Sequence, residues 1–153
     1  MTLTMEDLVG AWKFVSAEER FADGESRPEF GPNATGYLSY SADGIVSATV
    51  GSMNRPRSEA ADPQSATDSE VVDMARDFIA YAGPFTIDSV NDIVTHHVDI
   101  ALFTGWQDGD QVRHVKVSGD ELIITGSPRT SADGRPFHVE LTWRRVHVPG
   151  ASV

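Results

Sequence analysis

The sequence predicts an all-β chain closed into an eight-stranded antiparallel up-and-down β-barrel, with one inserted α-helix at about residues 69–82. Three observations predict it. First, four Asp-Gly dipeptides, Asp23-Gly24, Asp43-Gly44, Asp108-Gly109 and Asp133-Gly134, punctuate the 153 residues, and Asn91-Asp92 and Gly119-Asp120 add two more turn signals. Asp-Gly accepts the positive φ of tight hairpins, so each marks a reversal between antiparallel strands. Second, the segments between these signals alternate apolar and polar residues, the period of a strand with one buried face. Third, an up-and-down sheet of this length closes on itself, because closure removes exposed edges.

The elements follow in order. Glu6 to Gly10 reads as a single helical turn before the first strand, Trp12 to Phe21. Gly36 to Ser41 and Ile45 to Met53 form a hairpin about Asp43-Gly44. Asn54 to Asp68 is rich in Pro, Ser, Ala and charge and reads as a long loop. Val71, Met74, Ala75, Phe78, Ile79 and Ala82 recur at helical spacing, which predicts the helix Ser69–Ala82. Asp68 or Ser69 would cap it and Gly83-Pro84 would stop it, with its apolar stripe, Phe78 included, laid on the barrel mouth or flank. Five further strands are expected at Phe85–Val90, Ile93–Phe103, Gln111–Ser118, Glu121–Gly126 and Phe137–Val148. The last places Phe137, Val139, Leu141 and Trp143 on one face.

The bulk numbers bound the function. The length suits one domain, 1–153, with a real core. Net charge is −11 and pI about 4.7, a surface that repels phosphate backbones and anionic lipid, so neither nucleic acid nor membrane is an expected partner. The chain has no cysteine, which excludes disulfides and thiolate chemistry. The first residues carry no basic, apolar leader, and a cytoplasmic location is expected. Without a P-loop, G-x-G-x-x-G, nucleophile elbow or S-x-x-K motif, no cofactor is expected.

The residues also carry a resemblance. Gly10-Ala11-Trp12 heads the first strand. Leu8 to Ser16, Phe30 to Gly44, Tyr81-Ala82-Gly83, Thr95 to Val98 and Asp110 to Arg113 follow in order. Together they resemble the bacterial and fungal lipocalin-like domain family, a calycin-type barrel with a Gly-x-Trp signature. The resemblance covers residues 8 to about 146. It implies that an arginine of the last strand, Arg144 or Arg145, packs across Trp12 and closes one barrel end. Some relatives lie in natural-product gene clusters, where small barrels of several kinds act as cofactor-independent cyclases or isomerases. That last step is analogy, since fold does not fix function.

Candidate site residues follow from strand alternation. His96 and His97 are neighbours on a strand, so one faces in and the other out. His96 shares its face with Val94, Val98, Ile100 and Leu102, the natural core face, but the resemblance leaves the choice open. An inward histidine could serve as general acid or base; the plainer alternative is a satisfied core histidine. His114 on the adjacent strand does not complete a metal-ligand spacing with them, and no metal is expected. Arg113, if inward, would hold a carboxylate or enolate oxygen; if outward, it would pair with Glu121 or Asp99. If Trp12 is inside, strict alternation carries Phe14, Ser16, Glu18 and Arg20 inside with it. Glu18 would then have a raised pKa suited to proton transfer. Tyr40 shares its face with Leu38 and is taken as inward. Met53, Tyr81, Phe85 and Trp106 lie near strand ends or the helix end, where a mouth would be. They read as an aromatic lining or as ordinary core.

The expected function is binding of a small hydrophobic metabolite inside the barrel, with action on it as a cofactor-free cyclase or isomerase. His96, His97, Glu18, Tyr40 and Arg113 would carry the chemistry. Trp12, Phe14, Ser16, Leu38, Met53, Phe78, Tyr81, Phe85 and Trp106 would contact the ligand. The alternatives are a carrier with the same pocket and no turnover, or a filled barrel acting through its surface, for instance as a homodimer.

Overall fold

The computed structural model describes residues 2–149. Its strands are β1 Gly10–Phe21, β2 Ser26–Pro28, β3 Ala34–Tyr40, β4 Ile45–Ser52, β5 Phe78–Asp88, β6 Ile93–His97, β7 Ile100–Ala101, β8 Asp110–Ser118, β9 Glu121–Gly126, β10 Arg129–Thr130 and β11 Pro136–Arg145. Helical turns are α1 Met5–Leu8 and α2 Asp68–Ala75, with 3-10 turns at Pro63–Ser65 and Thr104–Trp106. Eight strands pair antiparallel in the ring β1-β3-β4-β5-β6-β8-β9-β11, and β11 returns to β1 to close it. The closing ladder runs from Trp12 opposite Arg145 to Phe21 opposite Phe137. β2, β7 and β10 are short additions to its edges. No helix among the described residues is long and apolar enough to cross a membrane.

The expected turns form. Gly44 (φ 94°), Gly24 (φ 95°) and Gly134 (φ 80°) take the left-handed region, and at the third Asp-Gly pair Asp108 does so instead (φ 61°). Inside, Leu8, Trp12, Leu38, Val46, Val50, Val94 and Leu122 are completely or almost completely buried. Trp12 sits at the closed end, its Nε1 donating to Leu8 O at 2.9 Å. Arg145 is the arginine that covers it, 4.2 Å above the indole, donating to Val9 O at 2.9 Å and Asp7 O at 2.8 Å. A Cβ on Gly10 would lie 3.0 Å from Arg145 Nη1, at a backbone φ of 127°, so the glycine of Gly-x-Trp makes room for this clasp.

Three local expectations change. The helix is Asp68–Ala75 rather than 69–82, and Phe78 to Ala82 begin β5 instead. Thr67 is its cap, with Glu70 completing a capping box. None of its residues is buried, so its apolar stripe is not laid on the barrel; Arg55 ties it down through Met74 O at 2.8 Å and stacks on Phe78. The spacing misled because Ile79, Tyr81, Phe85 and Ile87 satisfy period 2 as well, and pairing with β4 (Val50 opposite Ile79, Ala48 opposite Tyr81) decides between them.

The second change is a bulge in β1 between Phe14 and Ser16. The extra residue switches faces. Beyond it Ala17 and Phe21 are buried, and Glu18 stands opposite Glu140, on the face away from Val139 and Leu141. Third, the strand expected at Ile93–Phe103 breaks after His97. Val98 N donates to Gly109 O at 2.9 Å, and the chain returns as β7 against β5.

Candidate functional site

A cavity of about 260 Å³ lies inside the barrel. Its walls come from β3 (Leu38), β4 (Val50), β5 (Ile79, Tyr81), β9 (Ile124) and β11 (Val139, Leu141, Trp143), each an inward position of its strand. Trp143 lies on the side of the closed end, edge-on to Phe14 at 5.7 Å, and its Nε1 is buried without a hydrogen-bond partner among the described residues. Half-buried Trp106 and Glu29 and exposed Arg129 line the outer part. The inner polar groups come from three strands: the Tyr81 hydroxyl from β5, His96 from β6, and Gln111 and Arg113 from β8.

His96 is the inward histidine, 1% exposed. Its ring lies between two phenols. Nε2 is 2.8 Å from Tyr40 Oη and Nδ1 is 2.7 Å from Tyr81 Oη. Burial depresses its pKa to about 3, with the charges of Arg113 and His97 adding to the effect, so the ring is neutral at ordinary pH. Burial also raises the phenol of Tyr40 well above its usual value, and raises Tyr81 against the opposing pull of Arg113. Arg113 donates to Gln111 Oε1 at 2.9 Å and makes no ion pair among the described residues. At the outer part Glu29 faces Arg129 at 3.5 Å, and burial raises the Glu29 carboxyl pKa while Arg129 opposes this.

The structure brings some candidates together and separates others. His96, Tyr81, Leu38, Arg113 and Trp106 line the cavity. Tyr40 reaches it through His96 and packs against Phe85, 4.9 Å away. Trp12, Phe14 and Phe85 form core behind the wall. His97 points the other way, between Thr86 Oγ1 at 2.9 Å and Asp110 Oδ1 at 2.8 Å. The β1 bulge takes Ser16 and Glu18 off the inward face on which strict alternation had set them. Met53 is 57% exposed, and Phe78 packs over Gly51, on the face opposite Ile79 and Val50.

Several lining residues were not singled out from sequence: Glu29, Gln111, Ile124 and Arg129 as site members, and Val139, Leu141 and Trp143 beyond their shared face. The alternation of β9 and β11 marks the apolar ones. Glu29 and Arg129 are one hundred positions apart, and nothing local pairs them.

Against this geometry stand the relatives. The sequence of the 4'-hydroxy-3'-methoxypropiophenone carrier protein of Aspergillus oryzae is 28% identical to this chain over 107 residues, spanning 66% of this chain and 96% of that protein. Residues 9–146 match the family described as the lipocalin-like domain. With its Gly10–Trp12 signature under the Arg145 clasp, a closed eight-stranded ring and an internal cavity, the chain belongs to the lipocalin-like domain family.

Proposed function

We propose that this barrel takes up one small, largely apolar metabolite, about the size of a substituted aromatic ring, and holds it without converting it. The cavity carries the proposal. Ligand sites commonly run from roughly 300 Å³ upward, and an apolar hole of about 150 Å³ accepts benzene. A space of about 260 Å³ therefore suits a ring with short substituents. Its lining suits the same class: aliphatic and indole walls with a small polar group at Tyr81, His96 and Arg113. The relative in Aspergillus oryzae, named as carrier of a substituted aryl ketone, supports a binding role. His96 supports it too. A neutral imidazole with both nitrogens engaged and a pKa near 3 is a poor proton acceptor at neutral pH.

Trp106 and Trp143 line the cavity and report on its contents. Titration of the protein with an aryl ketone, followed by tryptophan fluorescence, is expected to saturate at one ligand per chain. A signal that never saturates would remove the proposal.

The second reading is a cofactor-independent cyclase or isomerase of secondary metabolism. The hydrogen-bonded row Tyr40–His96–Tyr81 beside the cavity favours it, with Arg113 steadying an oxyanion. It requires product to form from a bound compound faster than in buffer, and faster than with Arg113→Ala.

A further inference from the structure

The Tyr40–His96–Tyr81 row fixes a direction for its protons. Tyr40 is 1% exposed, and among the described residues its hydroxyl has one hydrogen-bond partner, His96 Nε2. A buried hydroxyl proton needs an acceptor, so Tyr40 donates and Nε2 carries no hydrogen. A neutral imidazole then bears its hydrogen on Nδ1, and among the described residues no carboxylate bonds to this ring to favour a second proton. Nδ1–H donates to Tyr81 Oη. That oxygen's own proton has no acceptor among the described residues, and Tyr81 lines the cavity. The opposite order would leave the Tyr40 proton unpaired in the core, where nothing can reach it.

The neighbours agree. Arg113 lines the same cavity with guanidinium N–H groups and no ion-pair partner among the described residues. Acceptors nearby are engaged: Gln111 Oε1 by Arg113, Glu29 by Arg129 and Asp110 by His97. Of the inner polar groups, Tyr81 and Arg113 are the two that offer donors to the cavity.

We infer that Tyr81 presents its hydroxyl proton, beside Arg113, to an acceptor oxygen of the ligand, so that the barrel selects a carbonyl- or enolate-bearing compound over a hydrocarbon of the same shape. This rests on the binding role proposed above and names the ligand class for that cavity.

Two measurements on the full chain test it. Nitrogen-15 NMR of the His96 ring reads the tautomer directly: Nδ1–H is expected, and Nε2–H would overturn the proton order. Competition binding then compares propiophenone with propylbenzene. About tenfold preference for the ketone is expected, falling to within about threefold in Tyr81→Phe, whose phenyl ring keeps the wall intact. Equal binding of both compounds to the unaltered protein overturns the inference and leaves the binding role standing. Binding of neither overturns both.

Discussion

At the scale of single residues, His96 is the informative side chain. It was marked by alternation, since its face carries Val94 and Val98, which are buried with it. Its role was not legible, because Tyr81 was assigned to a helix and Tyr40 is fifty-six residues away. The pair it makes has a measurable pH signature. In the unfolded chain the ring titrates near its ordinary pKa of 6.5, and in the folded protein near 3. Between these values the unfolded state binds more protons, so stability falls as pH drops through that window and is unaffected by this group above it. The loss amounts to roughly 5 kcal/mol at most. Urea midpoints measured from pH 7 to pH 4 are expected to fall, and His96→Phe should flatten part of that slope. Tyr40→Phe leaves Nε2 buried without a donor and is expected to cost about 1–3 kcal/mol in urea unfolding.

At the scale of elements, legibility followed the sheet. The strands at Trp12–Phe21, Gly36–Ser41, Ile45–Met53, Gln111–Ser118, Glu121–Gly126 and Phe137–Val148 lie within three residues of the observed ones, because turn chemistry and the period-2 pattern agree there. Two failures have one cause: a local pattern compatible with two structures, decided by a distant partner. Phe78 to Ala82 fit helix or strand, and β4 chose strand. Trp12 to Phe21 fit unbroken alternation, yet β11 pairs with it through a bulge, which moved Glu18 off the cavity face. A prediction separates the observed α2 from the expected longer helix. Val71 and Val72 are 46% and 52% exposed, so Val71→Ser with Val72→Ser should change stability by no more than about 0.5 kcal/mol each in urea unfolding. A packed stripe would lose several times that. Gly83→Ala is the contrasting case. Its Cβ would fall 1.9 Å from His97 O, where the chain crosses from β6 to β7. A shift of β6 against β5 is expected, with a cost of about 1–3 kcal/mol and a disturbed His96 resonance.

At the scale of the whole molecule, closure is what creates an inside. Arg145 joins the last strand to the first through two backbone carbonyls and the face of Trp12. Arg145→Ala is expected to cost about 2–4 kcal/mol, and Arg145→Lys to recover little of it, since an ammonium cannot bond both carbonyls and lie flat on the indole. Thermal unfolding of the three proteins checks the order. The same clasp has a topological consequence. Leu3 and Leu8 pack in the core beside Trp12, and Val146 N bonds Ala11 O, so the segments that lead into and out of the barrel both pass its sealed pole. The cavity's outer residues, Glu29, Trp106 and Arg129, lie towards the far ends of the strands. A dye or handle carried at Thr4 or Val146, beside that pole, would therefore stand behind the barrel and leave the cavity's outer side clear.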